Sequence, residues 1–223
     1  MNSSTGFLLA IEGVDGTGKR TQVTALQSIF ENAGREVAVY GFPDYDHSFL
    51  GSTVRAMLMD KLGDAKAIHP TFSAALFALE RSEKARQIRA DLAAGKLVIC
   101  DRYVYSNVAH QACRLPAAEQ LEFQKWVEHL EFETLGMPRA DATVLLEVDE
   151  AEAERRRISR SEQAQGARPL DAYESDTAGL ATARTIYSQL AQRLGWLNVE
   201  AFGGPPEEIT ARVLRALSPV LTP

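Results

Sequence analysis

The sequence predicts an α/β protein built on a doubly wound parallel sheet of five strands flanked by helices. Three observations predict it. Short apolar runs suited to buried strands recur along the chain, at FLLAI, REVAVY, KLVIC, TVLLEV and LNVEAF. Segments of helical periodicity separate them, and strands alternating with helices favour parallel pairing. A Gly-rich turn joins the first strand to the first helix, where backbone amides converge on a helix N-terminus.

Residues 7–11 form the first strand. Residues 21–33 read as the first helix, stopped by Gly34. Residues 35–40 are the second strand, and the irregular GFPDYDHS follows. Phe49–Leu58 and 70–94 read as helices, the latter ended by Gly95. Residues 96–100 are an unbroken apolar strand that delivers Asp101 and Arg102 at its carboxyl end. Residues 117–135 make a helix with Phe123, Trp126, Val127 and Leu130 on one face. Residues 143–148 are the fourth strand. Beyond an Arg-rich segment, Leu180, Ala183, Tyr187, Leu190 and Leu194 stand at helical spacing. Residues 197–202 and Pro206–Leu217 read as the last strand and helix.

At 223 residues the chain suits one domain, 1–223, with a mobile lid at about 152–170. A net charge of -6 argues against a general polyanion binder, so no nucleic-acid partner is expected. No apolar stretch approaches membrane-spanning length, and FLLAI is too short for a signal sequence. Cys100 and Cys113 are too few for a disulfide framework, which suits reduced thiols in a cytoplasmic protein. His47, His69, His110 and His129 show no zinc spacing.

Gly13, Gly18 and Lys19 fit the phosphate-binding loop G-x-x-x-x-G-K, between a strand and a helix as that loop requires. Gly13, Gly16 and Gly18 let successive amides point at a phosphate, and Lys19 adds a full charge. Arg20 stands where a metal-binding Ser or Thr usually follows the lysine, and Thr21 comes one residue late. Metal binding must then lean on carboxylates, with Asp15 the nearest. Sheet topology brings three features to one rim: this loop, the FPDY loop, and Asp101-Arg102.

The FPDY loop exposes Phe42, Pro43 and Tyr45 unless a ligand or the core covers them. In the next helix Phe72, Ala75, Leu76 and Leu79 read as the apolar stripe, leaving Phe77 and Arg81 on the other face. A ring one turn from a guanidinium can grip a planar base; helix packing plus a surface ion pair is the plainer account. Asp101 and Arg102 offer a metal contact and a phosphate clamp, or a structural ion pair, with Ser106 and Asn107 one turn on. Arg155, Arg156, Arg157, Arg160 and Arg168 make a solvated basic face or a lid that stabilises a transferring phosphoryl group. Asp171, Glu174 and Asp176 open the following helix, and Glu174 can reach the site.

Taken together, EGVDGTGKRTQ, FPDY, LFALER, DRYVYSN, the Arg-rich segment and LDAYE resemble thymidylate kinase over nearly the whole chain. The GKRT variant is similar to the actinobacterial branch of that family. The resemblance implies a P-loop NTPase-type fold, a homodimer, and transfer of the γ-phosphoryl of ATP to dTMP with Mg²⁺. It implies that Phe77 stacks on the thymine, that Arg81 and Asn107 face it, and that Tyr45, Arg102 and Asp15 surround the sugar and phosphate. Ser106, His110 and Gln111 complete the acceptor pocket; Asp15, Asp101 and Glu174 are the metal candidates, and Arg157 or Arg160 approaches the transferring phosphate. His110 stands where the family usually has Tyr or Phe, and Asp44 where a basic residue is common. The alternatives are a kinase for another monophosphate such as dUMP, or a nucleotide-binding homologue with weak catalysis.

Overall fold

Strand order explains why the predicted features meet. In a computed structural model, which describes residues 6–149, 152, 155, 171–173 and 175–221, five parallel strands lie in the order β2-β3-β1-β4-β5. They are β1 (Phe7–Glu12), β2 (Val37–Gly41), β3 (Leu97–Asp101), β4 (Ala142–Glu147) and β5 (Leu197–Glu200). Ile11 and Gly41 both register with Asp101, so β1, β2 and β3 finish level on one rim.

The helices are α1 (Lys19–Asn32), α2 (Phe49–Leu58), α3 (Pro70–Ser82), α4 (Ala85–Ala93), α5 (Val104–Ala112), α6 (Ala117–Glu128), α7 (Thr177–Leu194) and α8 (Pro206–Leu217). Alternate residues of each central strand face opposite layers. Leu9, Ile11, Ile99 and Val144 meet Leu26 and Phe30 of α1 and Val213 and Leu217 of α8. Leu8, Ala10, Val98 and Leu145 meet Val104 and Val108 of α5, Val127 of α6 and Tyr187 of α7. Each Leu, Ile, Val or Phe among them contributes about 1.5–3 kcal/mol on burial, which is why these strands read as continuous apolar runs.

Four expectations need correction. The first helix starts at Lys19, directly after the left-handed Gly18 at φ 86°, so Lys19 and Arg20 occupy its first turn. The stretch 70–94 breaks at 83–84, where Glu83 caps the amides of Phe49 and Leu50 and Lys84 reaches Asp44. On α3 the buried face is Ser73, Ala74, Ala78, Glu80 and Arg81, while Phe72 is 73% and Leu79 44% exposed. Small residues at 74 and 78 let α3 pack closely on α5, and that contact overrides the apolar count. The helix at 117–135 widens after Glu128 into a π-helical turn, His129–Thr134, where Leu135 N donates to Leu130 O. That winding puts Glu131 and Phe132 into the core, whereas Trp126 remains 37% exposed.

α5 carries so many polar residues that its helical character was hidden, yet Val104, Val108, Ala109 and Ala112 are buried. Of the Arg-rich segment, Arg155 is described: it is exposed and pairs with Glu152 at 2.5 Å. Arg156, Arg157, Arg160, Arg168 and Glu174 lie outside the described residues, and so does the lid expected at 152–170 apart from Glu152 and Arg155. Among the described residues no helix is long and apolar enough to cross a membrane.

Candidate active site

The loop between β1 and α1 is shaped by close approach. Gly13 adopts φ +142°, and a Cβ there would fall 2.6 Å from the Leu146 carbonyl, so no other residue fits without a shift. Thr17 Oγ1 donates to Val14 O, and Lys19 Nζ donates to the carbonyls of Gly13 and Val14, each at 3.0 Å. Lys19 is thus folded over the loop and buried. Burial, then the field of Arg102, lowers its pKa to about 8, while Asp15, Asp101 and Glu12 pull the other way. Lys19, Arg20, Thr21, Gly16, Gly18, Asp101 and Arg102 all line one open cleft beyond the strand ends. The exposed Arg20 and Thr21 are at its mouth.

Arg102 stands at the boundary of this cleft and a second cavity, and its backbone is left-handed at φ 66°. It does not pair with its neighbour Asp101. Nη2 donates to Asp15 Oδ1 at 2.7 Å, and Nη1 to Gly13 O, Ser106 Oγ and His110 Nε2. Burial opposes its charge, but Asp15, Tyr187, Asp101 and Glu12 outweigh that and hold the pKa above the usual arginine range. The same guanidinium, after burial, lowers the pKa of His110 to about 3. His110 is therefore neutral, and because arginine only donates, Nε2 is its acceptor nitrogen.

The second cavity, of about 240 Å³, is lined by Asp15, Phe42, Pro43, Tyr45, Phe77, Arg81, Arg102, Ser106, Asn107, His110 and Gln111. All eleven residues read as acceptor-binding therefore share one wall. Leu58, Asp171 and Tyr173 complete it and were not foreseen in that role.

Arg81 is buried, against the surface ion pair that the segment alone favoured. Its Nε donates to Glu131 Oε2 at 2.8 Å, and Glu131 Oε1 accepts from Asn107 Nδ2. Burial pushes the Glu131 carboxyl up against the pull of Arg81; Arg81 itself stays charged, with Glu131 and Glu80 outweighing its own burial. Asn107 Nδ2 also donates to Ala74 O, so its two acceptors leave Oδ1 as the amide's open end. Arg81 Nη1, Asn107 Oδ1 and Gln111 Nε2 are buried with no partner among the described residues. Two donors and one acceptor, at rest without hydrogen bonds, suit a ligand edge of two acceptors and one donor.

Glu12, which sequence reasoning passed over, is fully buried beneath the rim. It accepts from Tyr103 N, Ser106 N, Ser106 Oγ and Tyr187 OH, and so fixes the start of α5. Its place at the end of an apolar strand was the available signal. Asp44 is likewise a loop anchor, binding His47 and Lys84.

A family model described as thymidylate kinase matches residues 11–212. The chain is 38% identical over 191 residues to the thymidylate kinase of Mycobacterium tuberculosis, covering 85% of this chain and 87% of that one. It is 35% identical over 153 residues to a probable thymidylate kinase of Pyrococcus horikoshii, covering 68% and 69%. The solved structure of thymidylate kinase from Candida albicans shares the fold, with a TM-score of 0.75 over 96% of this chain and 92% of that one at 21% identity. A phosphate loop set on the central strand, a polar cavity beside it and these matches lead to one assignment: the chain belongs to the thymidylate kinase family.

Proposed function

We propose that this chain transfers the γ-phosphoryl group of ATP to dTMP, giving dTDP, with ATP in the open cleft and dTMP in the adjoining cavity. One observation carries the acceptor side: the unsatisfied set of Arg81 Nη1, Asn107 Oδ1 and Gln111 Nε2. Thymine presents two carbonyl oxygens flanking an N3–H, the complement of that set; cytosine presents an acceptor at N3 and an amine at C4. Phe77 supplies a ring face for the base, and Phe42, Pro43 and Tyr45 close the side toward the β2 end.

The chemistry asks mainly for alignment and charge. Loop amides from Gly13 to Gly18, with Lys19, Arg20 and Thr21 at the helix start, hold the donor phosphates. Arg102 faces both cavities and holds the acceptor phosphate in line, exchanging present partners for phosphate oxygens. Asp15 and Asp101 both lie close enough to Lys19 to shift its pKa, and one or two carboxylates plus substrate phosphates are what Mg²⁺ takes. These residues fit the ion, which would supply charge neutralisation on the phosphates; Glu174 is the third candidate. Arg157 or Arg160 supplies further charge from the lid.

A homodimer is part of this reading. Phe49 (83% exposed), Phe72 and Leu79 present bare apolar surface on the packed pair α2 and α3, and a second copy would cover it. A monomer in light scattering at micromolar concentration would remove it. The two cysteines are unpaired, as suits a cytoplasmic enzyme.

ADP production with Mg²⁺-ATP and dTMP, dUMP, UMP, dCMP, AMP and GMP in turn tests the function. Turnover is expected with dTMP at least tenfold above dCMP, since each mismatched polar contact costs roughly 1–3 kcal/mol. Equal turnover of dCMP would overturn the base assignment, and no acceptor-dependent turnover would overturn the kinase.

A further inference from the structure

Arg114 belongs to none of the roles above, yet its guanidinium gathers an unusual set of acceptors. Nη1 donates to Gln111 Oε1 at 2.8 Å, to Tyr173 OH at 2.6 Å and to Ser73 Oγ at 3.4 Å. Nη2 donates to the carbonyls of Ala65, Lys66 and Ile68. The group also lies 5.0 Å from the Tyr173 ring centroid. One side chain thus ties the α2–α3 connection, α3, α5 and the segment at 171–173 around the far end of the acceptor cavity.

The consequence lies in the Gln111 amide. A primary amide has a donor end and an acceptor end that shape alone does not distinguish. Arginine only donates, so the Gln111 atom at 2.8 Å from Nη1 must be the oxygen. Tyr173 OH, 3.4 Å from the same oxygen, reinforces it. Nε2 is then the end left over: Gln111 is fully buried, and Nε2 has no partner among the described residues. Gln111 lies one helical turn from Asn107, whose Oδ1 is likewise held open, and Glu131 links Asn107 to Arg81.

We propose that Arg114 is a positioning residue that sets the polarity of the base pocket. By holding Gln111 Oε1 it turns Nε2 toward the ligand, so that the pocket offers a donor to a pyrimidine carbonyl oxygen. This rests on the dTMP kinase reading and adds a residue that touches no substrate. Without Arg114 the amide oxygen loses its charged donor, and the amide turns over so that Nε2 donates to Tyr173 OH and an acceptor opposes the ligand oxygen.

A double-mutant cycle tests it, on the full chain with saturating Mg²⁺-ATP. Gln111→Leu and Arg114→Met are each expected to raise the KM for dTMP about tenfold, the effect of one lost buried contact, with the KM for ATP unchanged. The double variant is expected to match either single variant, because Arg114 acts through Gln111. Effects that multiply to about a hundredfold, or an Arg114→Met enzyme with wild-type KM for dTMP, would overturn the proposal. Arg114→Lys keeps a donor for Oε1 and is read alongside, and alone where the methionine variant does not fold. A KM within about threefold of wild type supports the proposal, and one matching Gln111→Leu overturns it. A wild-type enzyme without dTMP turnover would instead sink the functional reading on which it rests.

Discussion

Lys19→Met will lower turnover of ATP and dTMP by about 10²–10³-fold, the cost of removing one charge-stabilising donor from a preorganised site. Methionine keeps the buried stem and removes only the ammonium. That ammonium does two things here. It anchors the loop through the Gly13 and Val14 carbonyls, and on nucleotide binding it must leave them for phosphate oxygens. Its pKa of about 8 in the free protein adds a second readout. Near pH 8 roughly half of the molecules carry a neutral Lys19, and approaching phosphates raise an amine's pKa, so ATP binding will take up about half a proton. At pH 6.5 the lysine is already charged and uptake from it disappears. Calorimetry in buffers of different ionisation enthalpy measures this. Equal uptake in Lys19→Met would remove the lysine from the phosphate site.

Arg81→Ala will damage stability and acceptor binding together. Glu131 is left fully buried without its counter-charge, and breaking such a pair from one side costs about 3–5 kcal/mol. For a chain of this size the melting temperature should fall by roughly 6–20 °C. The KM for dTMP should rise at least tenfold, since Arg81 Nη1 is one of the two open donors. The two effects can be separated. Arg81→Met combined with Glu131→Gln removes both charges and leaves Asn107 an oxygen to donate to. That variant should recover most of the lost stability while its KM for dTMP stays high. A double variant with wild-type KM would take Arg81 out of base recognition.

How much was legible follows from where the information lies along the chain. The phosphate loop is contiguous, so its glycines, its lysine and the strand and helix on either side could be read directly. Residues at strand ends were also accessible, because parallel topology sends Tyr45, Arg102 and Asn107 to one rim wherever their partners lie. What stayed hidden depends on distant pairs. Arg81 looked like a surface charge because Glu131, its partner, arrives from the far side of α6 through an irregular turn. Arg114 looked unremarkable because five of its six acceptors belong to other parts of the chain. The α3 stripe was assigned to the wrong face because two alanines, not the larger residues, govern close packing there. An ion pair between the neighbours Asp101 and Arg102 was the alternative to a metal contact and a phosphate clamp, and the left-handed Arg102 turns its guanidinium to Asp15 instead.

The widened turn that buries Glu131 also bears on how this pocket can change over generations. Glu131 holds Arg81 with one oxygen and Asn107 with the other, so neither of these two residues proposed to read the base can mutate alone without harm. Altering Arg81 strands a buried carboxyl group, and altering Glu131 strands a buried cation and removes one of the two acceptors that orient the Asn107 amide. A lineage moving toward another base must cross variants that fold poorly or read nothing. The same barrier protects an inhibitor: a compound that draws its affinity from these three side chains leaves few single substitutions by which resistance can arise.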